Sequence, residues 1–106
     1  MSVKVEFRPE ARDQALVRNA WWVQNGPAAP TTSRDELALA LHDLAAQPAM
    51  ATIVVAHGGT AIRRWLLPKS KCHVYFAIDE AREVIDVLAV WGARMGRLPP
   101  LAKGRG

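Results

Sequence analysis

This 106-residue sequence has little cysteine, histidine or tyrosine and no long hydrophobic run. The single cysteine, Cys72, excludes an internal disulfide. The three histidines, His42, His57 and His73, do not have the spacing of metal ligands, and no other motif indicates a cofactor, so we expect neither a metal nor a cofactor. No apolar run approaches the length that spans a bilayer, and the first residues are charged and alternating rather than leader-like. The sequence therefore predicts a cytoplasmic protein.

The composition is that of one small globular domain. Half of the residues are hydrophobic and 23% are charged, which is ordinary for a folded chain and argues against disorder. The length allows one domain with a modest core. We expect this domain to occupy residues 1–101, and residues 102–106, which have little apolar content, to form a mobile tail.

Four segments have the pattern of β-strands. Residues 3–7 alternate apolar and charged side chains, which predicts a strand with one buried face. Residues 62–67, 72–78 and 84–91 are rich in β-branched and aromatic residues, and short turn-forming segments separate them. The short connections favour an antiparallel meander of the last three strands.

Two helices are predicted between the first strand and the meander. Pro9 suits the first position of a helix that can run to about Gln24, before Asn25-Gly26-Pro27. Residues 33–36 resemble a capping box at the start of a second helix, which could instead begin a turn or two earlier, near Pro27 to Pro30, and should stop before Pro48. The expected buried sides are Ala15, Leu16, Ala20 and Val23 with one or both of Trp21 and Trp22 in the first helix, and Leu37, Ala40, Leu41 and Leu44 in the second.

The predicted order is thus β-α-α-β-β-β. This order indicates an α+β domain in which a helical hairpin packs on one face of a small antiparallel sheet. Residues 50–56 have partly strand-like composition and are compatible either with an extra edge strand or with a packed loop.

Positive charge is concentrated in the second part of the chain. Residues 1–62 contain five Lys or Arg against six Asp or Glu, whereas residues 63–106 contain nine against four. In an antiparallel meander the turn after the 62–67 strand and the segment after the last strand lie at the same end of the sheet, so Lys69, Lys71, Arg94 and Arg97 can converge. The alternative is an ordinary solvated face. A convergent cluster would bind an anionic partner.

Several strand residues admit both structural and functional interpretations. Arg63 and Arg64 should lie on opposite faces of their strand, so that one of them faces the working surface. Cys72 is best interpreted as a small buried hydrophobic residue. Tyr75 should lie with His73 on the face away from the main core, either as a structural residue or as part of the site.

The order and spacing of several segments resemble the RelE/ParE toxins of bacterial type II toxin–antitoxin systems, and within them the ParE-like, plasmid-stabilisation branch. The resemblance rests on VKVEFRPEARDQ, the Trp21-Trp22 pair, Arg-Arg-Trp-Leu-Leu, His-Val-Tyr-Phe, Val-Leu-Ala-Val-Trp and the Gly-Arg-x-Pro-Pro-Leu ending. It covers nearly the whole chain apart from residues 47–60 and 102–106. It implies that strand 3–7 pairs with strand 62–67 in a sheet of about four strands.

The resemblance also implies two alternative activities. A ParE-like protein is a non-enzymatic toxin that binds and inhibits DNA gyrase, and a RelE-like protein is an endonuclease that cuts mRNA on the ribosome. The nuclease branch carries a tyrosine after the last strand, where this sequence has Pro99-Pro100-Leu101, and the second helix lacks lysine. The ParE-like activity is therefore favoured, and a degenerate, non-toxic homologue is a third alternative.

Both activities imply a toxin–antitoxin hetero-oligomer, and both assign site residues by resemblance. The expected target-binding residues are Arg63, Arg64, Lys69, Lys71, Tyr75, Arg94 and Arg97. For the nuclease, the positive charge would come from Arg64, Lys69, Lys71 and Arg94. Trp21 and Trp22 are the expected antitoxin contacts.

Overall fold

The computed structural model describes residues 4–25, 32–57, 60–93 and Pro99. These residues form five strands and two α-helices, with a short 3-10 helix at Pro48–Met50. In chain order the elements are β1 (Lys4–Phe7), α1 (Pro9–Asn25), α2 (Thr32–Ala46), β2 (Thr52–His57), β3 (Thr60–Leu67), β4 (Cys72–Asp79) and β5 (Val84–Gly92). The predicted α+β class, with two helices packed on a sheet, is confirmed. The predicted tail at 102–106 lies outside the described residues.

The sheet has five strands in the order β1-β5-β4-β3-β2. The predicted meander of β3, β4 and β5 is confirmed, because each pairs antiparallel with the next. The undecided segment forms β2, an edge strand that pairs with β3 and has an irregularity between Ile53 and Val55. The expectation of about four strands is therefore corrected to five.

The predicted partner of the first strand is wrong. β1 pairs parallel with β5 rather than with β3, so the sheet is mixed, and β1 lies at its edge. Backbone hydrogen bonds extend this pairing at both ends, from Lys4 N–H to Glu83 O (3.1 Å) and from Arg8 N–H to Val87 O (2.9 Å). Parallel neighbours require a long connection, and here the connection includes both helices and three strands.

Both helices contribute to a core on one face of the sheet. The central strand β4 supplies Val74 and Phe76, which are completely buried, and β5 supplies Ile85 and Val87. On α1, the side-chain carbonyl of Gln14 accepts a hydrogen bond from Val90 N–H at 2.8 Å, which ties the helix to β5. The core therefore holds α1 directly over the last strand.

The buried side of α2 is as predicted, whereas that of α1 is predicted correctly only in part. On α2, Ala40 and Leu44 are buried, and Leu37 and Leu41 pack against the core. On α1, the buried residue is Ala11, with Ala15 packed against the core, whereas Leu16, Ala20 and Val23 are exposed. Small residues at the inner positions let α1 approach the sheet closely, and the larger apolar side chains are left outside.

Within the described residues, no helix is long and apolar enough to cross a membrane.

Candidate functional site

Two lysines project from the connection between β3 and β4, which is here called the basic turn (residues 68–71). Lys69 and Lys71 are exposed, whereas Ser70 between them is 2% exposed. Neither ammonium group lies within ion-pair distance of a carboxylate in the described part of the chain. The turn thus presents two exposed ammonium groups at one end of the sheet.

A carboxylate from α2 holds the backbone of the basic turn. Glu36 accepts one hydrogen bond from Lys69 N–H and one from Ser70 N–H, each at 2.7 Å, with a different carboxylate oxygen. Glu36 was predicted as part of a capping box at the start of α2, and the structure instead directs its two oxygens to this turn. Charge-assisted bonds of this length are strong, so the turn is fixed to the helical layer.

The basic turn lies beside the segment that follows β5. Cys72 pairs with Gly92, and Ala93 N–H donates to Lys71 O at 2.8 Å. Lys69 and Lys71 therefore lie at the end of the sheet where the segment carrying Arg94 and Arg97 begins, as the meander predicts. Arg94 and Arg97 themselves lie outside the described residues, so their convergence with the lysines stays a prediction.

Arg63 and Arg64 belong to opposite faces of β3, as predicted. The Arg63 guanidinium donates to the carbonyl oxygens of Ala51 (2.9 Å) and Ala49 (3.3 Å) and so holds the chain that precedes β2. Arg64 is opposite Tyr75 of β4 in the sheet register. Of the two arginines, Arg64 lies on the face away from the helices, and Arg63 already has two backbone partners.

A cluster of Arg64, His73 and Tyr75 occupies the face of the sheet away from the helices. The rings of His73 and Tyr75 are in edge contact, with centroids 6.0 Å apart. Burial lowers the pKa of His73, and the positive charge of Arg64 lowers it further. Tyr75 is only 2% exposed, so it offers almost no surface to a target in this conformation. His73 was not among the predicted site residues, although its two-residue spacing from Tyr75 places both on one face.

The thiol of Cys72 is buried beside the basic turn. Its Sγ is 3.5 Å from Ser70 O, as a donor, and the residue is 1% exposed. Burial raises the pKa of the Cys72 thiol, and the nearby Arg18 guanidinium partly opposes this shift. The expected structural role of Cys72 is consistent with this environment, because a reactive cysteine needs access and a lowered pKa.

A second candidate surface runs along α1. Four large apolar side chains are exposed there and are called the α1 apolar stripe: Leu16, Val17, Trp21 and Val23. Trp21 is 49% exposed and contacts Trp22 edge to face, with ring centroids 5.3 Å apart. Exposed apolar groups in one contiguous patch commonly mark a protein interface.

Beside the stripe is a groove of about 260 Å³ between the two helices and the end of β1. Phe7, Ala15, Leu16 and Leu37 provide its apolar lining, and Arg12, Asn19 and Arg34 its polar lining. The described residues contain no group of three or more side chains that could hold a metal ion.

No protein-family model and no curated protein matches this sequence. Among solved structures, the fold is similar to one chain in the crystal structure of the toxin–antitoxin complex RelBE2 from Mycobacterium tuberculosis. The TM-score is 0.57 with 17% sequence identity, and the match covers 87% of this chain and 99% of that chain. What is shared is the fold. At this sequence identity, the similarity does not assign a role to any residue of this chain.

Proposed function

We propose that this chain is the toxin of a type II toxin–antitoxin system, and that it inhibits DNA gyrase by binding it. The fold similarity to a chain of the RelBE2 toxin–antitoxin complex supports the general assignment. Such a toxin acts in the cytoplasm, is neutralised in a complex with its cognate antitoxin, and would serve plasmid stabilisation. None of these steps requires a metal or another cofactor.

The observation that favours binding over catalysis is the environment of Tyr75. RNA cleavage needs acid and base groups that reach the 2′-hydroxyl and the leaving oxygen. Tyr75 is the chain's only tyrosine, and it is buried. Binding to gyrase instead needs a complementary surface, and the exposed Lys69 and Lys71 supply one.

A second candidate function, ribosome-dependent mRNA cleavage, is favoured by the Arg64–His73 pair. The lowered pKa of His73 keeps its imidazole neutral at neutral pH, as a general base requires, and Arg64 could stabilise charge on a phosphate. Lys69, Lys71 and Arg94 would add positive charge. In this alternative His73 replaces the tyrosine that the sequence lacks after β5.

The two functions are separated by assaying the purified chain for gyrase supercoiling and for cleavage of ribosome-bound mRNA. We expect inhibition of supercoiling without mRNA cuts, and we expect Lys69→Ala/Lys71→Ala to abolish it. Lys4→Ala is the matched control, because Lys4 is also an exposed lysine but lies in β1, away from the basic turn. Cuts in mRNA that disappear in His73→Ala would establish the nuclease instead. A chain that arrests growth in neither way would be a degenerate homologue.

The antitoxin is proposed to cover the α1 apolar stripe. Trp21 is exposed, and its ring contacts the partly buried Trp22 edge to face, so the pair can anchor an apolar segment of a partner. Antitoxin segments that fold on binding would gain stability by burying such side chains. The chain and its antitoxin should copurify from cells that carry the native operon, and recovery of a lone, harmless chain would contradict the assignment.

A further inference from the structure

We propose that Glu36 is a positioning residue that holds the basic turn in its target-binding conformation. This inference rests on the proposed function and assigns a role within it to a residue that contacts no target itself. Lys69 and Lys71 would contact the anionic surface of gyrase. Glu36 would fix the position of the backbone from which these two side chains extend.

The first observation is which atoms Glu36 uses. Its carboxylate lies at the basic turn, yet it accepts from the backbone N–H groups of Lys69 and Ser70 rather than pairing with a lysine ammonium. An exposed ion pair with a lysine would stabilise such a carboxylate by only about 0–1 kcal/mol. Here the carboxylate is engaged by the backbone, and both ammonium groups are left available to a partner.

The second observation is the backbone conformation of Lys71. Its φ is 60°, in the left-handed region that glycine occupies without strain and that other residues rarely adopt. A lysine at this position is locally unfavourable for folding. Glu83, which precedes β5, has the same conformation (φ 56°), so this geometry belongs to the hairpin turns of the meander, and at Lys71 the surrounding hydrogen bonds enforce it.

The third observation is that backbone hydrogen bonds and a buried side chain also hold the basic turn in place. Lys71 N–H donates to Leu67 O at 2.8 Å, Lys71 O accepts from Ala93 N–H at 2.8 Å, and the Ser70 side chain is buried. Glu36 adds the attachment to α2. A binding group fixed before the encounter loses less conformational freedom on binding, and the gain appears as affinity.

The test compares Glu36→Gln with Asp35→Asn. Glutamine keeps the shape but offers a single acceptor oxygen for two N–H groups, whereas Asp35→Asn removes the same charge from the neighbouring, exposed position. Amide hydrogen exchange at Lys69 and Ser70 measures the attachment without any target. We expect faster exchange at both amides in Glu36→Gln and no change in Asp35→Asn.

The functional measurement is the concentration that half-inhibits gyrase supercoiling, taken at a temperature where every variant is folded. We expect Glu36→Gln to raise it about tenfold, which corresponds to roughly 1.4 kcal/mol. Unchanged exchange would refute the attachment. Faster exchange with unchanged inhibition would leave Glu36 a purely structural residue and refute the positioning role.

Variants at position 71 separate strain from charge. Lys71→Gly should leave the melting temperature unchanged or raise it while weakening inhibition, and Lys71→Arg should retain inhibition. If Lys71→Gly inhibits as well as the wild-type chain, the lysine has no target role and the inference fails.

Failure of the proposed function gives a different pattern. If the wild-type chain arrests growth without inhibiting gyrase, and Glu36→Gln but not Asp35→Asn relieves the arrest, the target is wrong and the positioning role stands. If the wild-type chain is inert in both assays, the toxin assignment and the positioning role both fall. The exchange measurement still decides whether Glu36 holds the turn.

Discussion

Replacing Trp21 with alanine should weaken antitoxin binding without unfolding the chain. Trp21 is 49% exposed, and a tryptophan side chain presents roughly 200 Å² to a partner when fully available, so about 100 Å² remains to be buried. At about 25 cal/mol per Å² this area corresponds to about 2.5 kcal/mol, or about 70-fold in Kd. That loss would place Trp21 among the strongest contacts of an ordinary interface.

The assay is calorimetric titration of the antitoxin that copurifies with the chain, together with urea unfolding of the toxin alone. Met50→Ala is the control, because Met50 is 66% exposed but lies in the 3-10 helix after α2 and outside the α1 apolar stripe. We expect the control to bind with unchanged Kd and both variants to unfold at nearly the wild-type urea concentration. A Trp21→Ala variant that binds the antitoxin as tightly as the wild type would show that the stripe is not the interface.

Three further predictions concern the folded domain itself. Phe76→Ala removes a fully buried ring from β4 and should lower the free energy of unfolding by about 3–5 kcal/mol in urea titrations. Leu66→Ala, on the exposed part of β3, should lower it far less. Equal losses in the two variants would contradict the assigned core. Because the pKa of His73 is lowered in the folded chain, the contribution of this histidine to the free energy of unfolding is present above its ordinary pKa near 6.5 and is lost as the pH falls. The free energies of unfolding of the wild type and His73→Gln should therefore diverge between pH 7.5 and 5. Parallel curves for the two proteins would be evidence against the shift. Cys72, whose pKa is raised by burial, should resist alkylation at pH 8 until the chain unfolds, and rapid labelling of native protein would show that the thiol is accessible.

The sequence predicts the meander and α2 well because their signals are local. The turn residues after β3 and β4 define short antiparallel connections, and Ala40 and Leu44 recur at helical spacing on the side that is buried. The pairing of β1 with β5 has no local signal. Alternation in residues 3–7 reveals one buried face but not which strand lies alongside.

The orientation of α1 shows where apolar periodicity gives the wrong answer. The periodicity selects Ala15, Leu16 and Val23 for the core, but of these only Ala15 packs inward, together with Ala11 one turn earlier. Apolarity predicts burial, but it does not say whether the burying surface belongs to the same chain.

The sequence predicts the positive charges of the candidate site, but it does not predict that Glu36 attaches the basic turn to α2. Lys69 and Lys71 stand out as basic residues in a predicted turn, and the meander places them beside the end of β5. Glu36 is more than 30 residues away in sequence, and its spacing from Ser33 offers a competing local explanation as a helix cap. Only the packing of α2 against the sheet brings its carboxylate to the turn.

The parallel pairing of β1 with β5 has a consequence for synthesis of the protein. Lys4 and its partner Val84 are 80 residues apart in sequence. At about 5–20 residues per second, a ribosome takes roughly 4–16 s to add that interval. During this time β1 has no strand to pair with, and Val5 and Phe7 have no β5 beside them. The nascent chain therefore stays incomplete until almost the whole domain has been translated, and a chaperone or a binding partner has those seconds to reach it first.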